Sequence, residues 1–423
     1  MERVDGRKKQ MEENGELELY IHIPFCVRKC VYCDFPSAPA DEDTRDRYLE
    51  ALLAEIRIRA EAYRQYTVSS VFIGGGTPSL LKGGQIARLM DGVREHYRLA
   101  EGAESTLEVN PGTADQGKLA AYWQAGINRL SIGLQSADNG ELALLGRIHT
   151  YEDFLDTYRT ARMAGFHNLN VDVMAALPGQ SLEGYCATLR KVMALEPEHI
   201  SAYSLILEEG TPLLEMVDRG LVQSVDEDMD RCMYQETKRL LKEAGYHRYE
   251  ISNYAREGYA CKHNLGYWQR KNYLGLGLSA ASLVENVRFR NGSNLSAYLE
   301  DPSGCREACQ ILTRQEQMEE FFFLGLRMTD GVDLGSFERI FGCRPETVYG
   351  EVIRKNVQDG LLKYSVPDGG RNGAGTGGKA YGNLIRGAQE PDRNREGKAE
   401  ERIALTERGL DLSNYVSAQF LLT

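Results

Sequence analysis

Proline is scarce in this sequence, at 12 of 423 residues, and together with 43 unpatterned glycines this excludes collagen-like and proline-rich classes. No run approaches the ~18 apolar residues of a membrane-spanning helix. The polar opening, Met1 to Gly15, lacks the apolar core of a signal peptide. Positive charge is also in deficit. The 50 Lys and Arg residues face 62 Asp and Glu, and the net charge of −12 argues against a general nucleic-acid binder, because phosphate contact needs a basic surface. What remains is ordinary for a soluble globular protein: 42% hydrophobic, 26% charged, and long enough for two to four domains. The nine cysteines are an odd number, and three of them fall within eight residues. So long and unevenly spaced a chain is a poor disulfide scaffold, and the pattern points to a reducing cytoplasm and a metal site.

Short β-branched runs alternate with longer amphipathic stretches over the first half. Strands are expected at 17–23, 70–73, 106–109, 129–132, 168–173 and 199–205, with helices at 44–63, 84–96, 114–125, 151–164 and 182–195. Six β/α units fall short of the eight of a closed barrel, so the expected fold is α/β, an open partial (β/α)6 TIM-type barrel. The expected divisions are a tail (1–16), the barrel (17–210), an extension (211–311) and a C-terminal unit (312–423). In the extension, a helix at 226–243 and a strand at 247–251 precede an irregular Gly/Asn/Tyr-rich stretch at 264–282. The C-terminal unit reads as helices at 314–327, 334–341 and 346–359, strands at 361–365 and 402–405, and a closing helix at 407–421, a winged-helix-like pattern. Between its strands, 367–401 is too polar to offset the entropy of ordering and is expected to be disordered.

The run Tyr20-Ile-His-Ile-Pro-Phe-Cys26-Val-Arg-Lys-Cys30-Val-Tyr-Cys33 follows the first strand. Packing as small hydrophobes suits Cys186, Cys232 and Cys343, which sit in amphipathic patterns, better than three cysteines in one loop. Zinc needs four closed ligands; only His22 is near enough, and it lies within the strand pattern. Cys305 and Cys309 stand apart in a polar, helix-like stretch and make no second pair at zinc-ribbon spacing. An iron–sulfur cluster held by three thiolates would leave one iron open to a small molecule.

Other segments add polar groups at successive strand ends. Ile73-Gly74-Gly75-Gly76-Thr77-Pro78 lets the backbone approach a ligand, although a tight turn would also use these glycines. It lacks the Gly-Lys-Ser/Thr of a phosphate-binding loop. Glu108 ends the third strand, Gln135 follows the fourth, Arg147 lies in Leu-Gly-Arg-Ile-His, and Asp172 closes the fifth before Leu177-Pro-Gly-Gln180. Each alone is more often a satisfied surface group; together they outline one pocket. Gly275-Leu-Gly277-Leu-Ser-Ala280 fits a dinucleotide fingerprint only superficially, with no long helix after it.

The Cys-x3-Cys-x2-Cys spacing, with Tyr32 before the last cysteine, resembles the radical S-adenosylmethionine superfamily. Along nearly the whole chain the set resembles the oxygen-independent coproporphyrinogen III oxidase family and its heme-chaperone, HemW-type branch. That resemblance implies a [4Fe–4S] cluster on Cys26, Cys30 and Cys33. It also implies S-adenosylmethionine against Tyr20, Tyr32, Gly75, Gly76, Thr77, Glu108, Gln135, Arg147 and Asp172, with Arg147 pairing a carboxylate. The oxidases carry a further cysteine in a Cys-x-Cys arrangement, where Asp34-Phe35-Pro36 stands here. They also carry a longer N-terminal segment, where the first strand here is expected from residue 17. Both departures match the chaperone branch.

Cys261-Lys-His263-Asn264-Leu-Gly-Tyr267-Trp268 resembles that branch's heme-associated motif. On this reading His263 would ligate heme iron axially, Tyr267 and Trp268 would face the macrocycle, and Arg270 and Lys271 would neutralise propionates. Core packing is the plainer reading of the same residues. The resemblance implies a heme chaperone that delivers heme to a hemoprotein acceptor such as a respiratory enzyme. The alternatives are radical decarboxylation of coproporphyrinogen III and a zinc-stapled binding protein, so whether the chain is an enzyme stays open.

Overall fold

In the computed structural model, residues 15–304, 306–365 and 401–422 are described. The expected insertion 367–401 lies outside them except for its last residue, and the tail 1–16 except for its last two. The chain divides into two compact units, Met1–Gln317 and Met318–Thr423.

The first unit is built on strands β1 (Glu16–Ile23), β2 (Thr67–Gly75), β3 (Leu99–Val109), β4 (Arg129–Gln135), β5 (Leu169–Ala175) and β6 (His199–Ser204). Helices α1 (Glu42–Ala60), α2 (Gly83–His96), α3 (Gln116–Gln124), α4 (Asn139–Leu144), α5 (Tyr151–Met163) and α6 (Leu182–Met193) alternate with them. Their starts are fixed locally. Asp41, Asp115, Asp138, Thr150 and Ser181 each accept a backbone N–H of the first turn.

Each strand alternates with period two, and this positions the site. Leu17, Leu19, Ile21 and Ile23 of β1 are wholly buried on the apolar face, as are Leu130, Ile132 and Leu134 of β4 and Leu169, Val171 and Val173 of β5. The other face carries Glu18, Tyr20 and His22, then Ser70 and Phe72, Thr106 and Glu108, Arg129 and Ser131, Asn170 and Asp172, and His199 and Ser201. Parallel registers such as Glu108↔Ser131 and Asp172↔Ser201 line these polar residues up on one concave surface.

The parallel sheet has seven strands rather than six. β7 (His247–Arg248) and β8 (Asn253–Ala255) form an antiparallel edge beside β6, shorter than the expected strand at 247–251. Helix α7 (Lys262–Trp268) and β9 (Tyr273–Leu276) then replace the irregular stretch at 264–282, and β9 pairs parallel with β1. β10 (Ala281–Val284), β11 (Val287–Asn291) and β12 (Arg306–Ile311) extend that edge antiparallel, giving the order β12-β11-β10-β9-β1-β2-β3-β4-β5-β6-β8-β7 and an open sheet. Cys309 therefore lies on a strand, not in a helix-like stretch. Every residue of that edge strand is exposed, so no alternation marks it in the sequence.

The second unit contains Leu334–Phe341 and Pro345–Gln358 as helices and a three-stranded antiparallel sheet, Val332–Asp333 pairing with Arg402–Leu405 and that with Leu362–Ser365. Phe322 stacks on Phe420 at 4.5 Å between centroids and meets Tyr349 edge-on at 4.8 Å, forming the unit's aromatic core. The expected closing helix is two short ones, Glu407–Asp411 and Ser413–Ala418, separated at Leu412, where φ is −117° and ψ is 27°.

Candidate cofactor site

The cysteine loop leaves β1 and is tied down along its length. Cys26 N–H donates to Ala38 O at 3.1 Å, Val31 N–H to Leu145 O at 3.2 Å, and Cys33 N–H to Cys30 O at 3.2 Å. Cys26, Cys30 and Cys33 are half-buried free thiols. Thr77 Oγ1–H donates to Cys26 Sγ at 3.5 Å, and Arg147 Nη1 lies 3.7 Å from Cys30 Sγ. Burial pushes the Cys33 thiol up. His22 is not available as a fourth ligand. It is 3% exposed, its Nδ1 lies 2.8 Å from Tyr20 Oη, and its Nε2 lies 3.1 Å from Pro36 O. Among the described residues no group of three or more His, Cys, Asp or Glu side chains is drawn together as a holder for a metal ion. The three thiols instead face a shared cavity, which suits a broad polynuclear group better than one zinc.

That cavity, of about 630 Å³, lies at the C-terminal ends of the parallel strands, where ligands bind in α/β sheets. All three cysteines line it, together with Tyr20, Tyr32, Gly75, Gly76, Thr77, Glu108, Gln135, Arg147 and Asp172. A larger space of about 890 Å³ opens near the strand starts, among Glu16, Thr67 and Leu99, and holds no cysteine.

Local geometry explains the residue types. Gly75 has φ +114°, and a Cβ there would collide with the His22 ring. At Gly76 a Cβ would stand 2.7 Å from Phe25 O, because Thr77 N–H donates to that carbonyl and Gly76 N–H to Ile23 O. Gln135 holds φ +71°, a strained backbone for a non-glycine residue, and accepts the Tyr203 hydroxyl at 3.3 Å. Arg147 Nη2 donates to Asn110 Oδ1 at 2.5 Å and Gly133 O at 2.6 Å, while its buried Nε has no partner. Asp172 accepts from Asn170 Nδ2 at 2.7 Å and Ser131 Oγ at 3.2 Å. Asn110, Phe72, Arg129, Ser131 and Tyr203 also line the cavity and were not singled out from the sequence. The inward phase of their strands was the signal that could have found Phe72, Arg129, Ser131 and Tyr203.

Glu108 accepts Gly75 N–H at 3.0 Å, yet burial and then the Asp172 carboxylate push its pKa from 4.5 up to about 8. A carboxyl raised on folding stabilises the fold fully below its unfolded value, and that contribution is lost as pH climbs through the folded one. The melting temperature of the ligand-free chain is therefore expected to fall between pH of about 4.5 and about 8. Glu108→Gln should remove part of the slope and leave the part due to Glu18, pushed to about 8 mainly by burial. Identical slopes in the two proteins would refute the assignment.

The structure places the His-Asn-x-x-Tyr-Trp motif on a helix packed against the barrel strands. Its residues form α7, and His263 is 1% exposed. Its Nδ1 lies 2.8 Å from Ser70 Oγ and its Nε2 3.0 Å from Tyr267 Oη, so both ring nitrogens have partners within the chain. Burial, then Arg129, lowers its pKa to about 3 and keeps the ring neutral. Tyr267 is edge-on to His263 at 4.9 Å and to Tyr273 at 4.7 Å, and Trp268 is half-buried. Lys271 is engaged by Glu16 Oε2 at 2.8 Å, and Arg270 holds the turn after the helix at φ +58°. The residues expected to contact heme, His263 and Lys271, are engaged here with Ser70 and Tyr267 and with Glu16 respectively.

Residues 20–192 match the Radical SAM superfamily and 312–365 the HemN C-terminal domain. The chain is 33% identical to the heme chaperone HemW of Lactococcus lactis over 95% of its own length and 97% of that relative. The chain belongs to the HemW family. Its identity to HemW of Escherichia coli is 41%, covering 82% of this chain and 90% of that one. To the mitochondrial radical S-adenosyl methionine domain-containing protein 1 of Danio rerio it is 38%, covering 81% and 80%. The coproporphyrinogen III oxidase HemN of Escherichia coli, a radical SAM enzyme, shares the fold. The TM-score is 0.77 at 22% identity, over 99% of this chain and 93% of that one. For a HemW-family chain the superfamily implies a [4Fe–4S] cluster and S-adenosylmethionine. The donors fit both groups: three soft thiols on one loop, a glycine cradle with no room for a Cβ, and a buried guanidinium with a spare N–H.

Proposed function

We propose that this chain is a heme chaperone: it binds heme and hands it to a hemoprotein acceptor in the cytoplasm. The observation that carries this reading is the 33–41% identity to proteins named heme chaperone HemW along most of the chain. The Asp34-Phe35-Pro36 run after the third cysteine supports it. Among the described residues no helix is long and apolar enough to cross a membrane.

In this reading Cys26, Cys30 and Cys33 hold the cluster, and Arg147, beside Cys30, pairs with the carboxylate of S-adenosylmethionine. Glu108 and Asp172 accept ribose hydroxyls, and the Gly75–Thr77 backbone offers close approach. When bound, the reduced cluster and S-adenosylmethionine supply a strongly oxidising carbon radical or, unreduced, a structural and gating element. Because His263 is enclosed, heme binding in this proposal does not depend on it.

A second reading is oxygen-independent decarboxylation of coproporphyrinogen III, which would use the same cavity, lined by the cysteines and by every residue implied for S-adenosylmethionine. Two measurements on anaerobically reconstituted protein separate them. Heme titration followed by absorbance should show binding at micromolar concentration, and incubation with dithionite and coproporphyrinogen III should yield no protoporphyrinogen. Turnover without heme binding would replace the chaperone with the enzyme.

A further inference from the structure

The residues His263 to Trp268 resemble a heme-associated motif, yet the structure gives them a place inside the barrel. Helix α7 is closed against the inner face of three strands. Glu104 of β3 accepts Lys262 N–H at 3.2 Å and His263 N–H at 3.3 Å, and the Cys261 thiol at 3.4 Å. A Cβ on Gly266 would overlap the Glu18 carboxylate, so the helix lies directly on β1. Ser70 of β2 holds the His263 ring at Nδ1.

The plane of that ring matters more than its nitrogens. His263 stacks on Phe72 with centroids 5.2 Å apart and an interplanar angle of 25°, and Phe72 stacks in turn on Tyr20 at 6.4 Å and 25°. Phe72, Tyr20 and Asn264, the residue after His263, all line the cofactor cavity. The Phe72 ring also reaches the Gly74–Glu108 corner: a Cβ on Gly74 would be 3.0 Å from both Phe72 Cε1 and Glu108 Oε2. A neutral, doubly hydrogen-bonded imidazole is a rigid base for such a stack. Removing it would leave Phe72 unsupported from below, next to the carboxylate assigned to ribose.

We propose that His263 is a positioning residue for S-adenosylmethionine, bracing Phe72 as the floor of the cofactor cavity, rather than a ligand of heme iron. The proposal rests on the reading that this cavity holds S-adenosylmethionine.

The test uses the full-length, cluster-loaded protein with two titrations: S-adenosylmethionine by calorimetry, and heme by absorbance. The perturbation of the reduced cluster's paramagnetic resonance signal by S-adenosylmethionine serves as a further readout. His263→Ala is expected to weaken S-adenosylmethionine binding about tenfold, at the upper end of what losing an aromatic stack costs, and to leave heme affinity unchanged. His263→Phe keeps a ring under Phe72 and should restore most of the loss, which no iron ligand would do. Phe72→Leu removes the stack without touching the buried hydrogen bonds; it should reproduce the loss and carries the test if His263→Ala does not fold. Parental S-adenosylmethionine affinity in His263→Ala or Phe72→Leu overturns the proposal, as does a His263→Ala protein that loses heme alone. Parent protein that binds S-adenosylmethionine but no heme would sink the chaperone reading and leave these comparisons decisive. Parent protein that binds no S-adenosylmethionine would sink the proposal itself.

Discussion

Replacing Cys30 by alanine is expected to abolish cluster assembly, leaving protein without bound iron and sulfide and without the broad visible absorption of an iron–sulfur centre. The loop offers three thiols and no substitute. His22 is enclosed by Tyr20 and Pro36, and the remaining described cysteines lie on other elements. Cys30 is also the thiol beside the Arg147 guanidinium, 3.7 Å from its Nη1. Cys186, 5% exposed on α6, is the matched control. Alanine there costs a small amount of packing and should leave iron content at the parental level. Equal iron loss in the two variants would show that misfolding, and not ligand removal, is being measured.

The second large effect is expected at Arg147. Its guanidinium ties Asn110 to the Gly133 carbonyl and has one N–H left over in the cavity wall. Arg147→Ala would remove a charge-assisted bond to a ligand carboxylate, a contribution of about 1.5–3 kcal/mol, so S-adenosylmethionine affinity should fall about 10- to 100-fold. Lysine should not rescue it, because its ammonium is a point charge on a flexible stem without the planar fork that meets Asn110 and Gly133 from one nitrogen and a carboxylate from another. Calorimetric titration of the reconstituted variants decides this, and parental affinity in Arg147→Ala would remove Arg147 from the site.

Much of this arrangement could be read directly in the residues. The cysteine spacing marked the loop, and the two-residue period of β3 and β5 put Glu108 and Asp172 on the face opposite Leu107, Val109, Val171 and Val173. Features that escaped depend on partners distant in sequence. Tyr273–Leu276 has glycine at its centre and only four residues; it becomes a strand because β1 offers an unpaired edge. The motif around His263 reads as core packing or as a heme contact, and what it packs against, Glu18, Ser70 and Glu104 on the inner faces of three strands, is supplied only by the fold. Local propensity carries no trace of those partners. The bend at Leu412 is likewise invisible to an amphipathic pattern that continues through it.

The placement of β9 has a consequence for how the protein is made. β1 needs β2 on one side and β9, about 250 residues later in the chain, on the other. Closing so long a loop is slow, and until it closes β1 keeps an unpaired edge. The cysteine loop is therefore synthesised long before α7 and β9 exist to seal the space beneath it. Nascent chains stopped short of residue 260 should be sticky and unable to retain S-adenosylmethionine, and cluster insertion is expected to wait for the synthesis of β9 rather than follow directly on that of the cysteine loop.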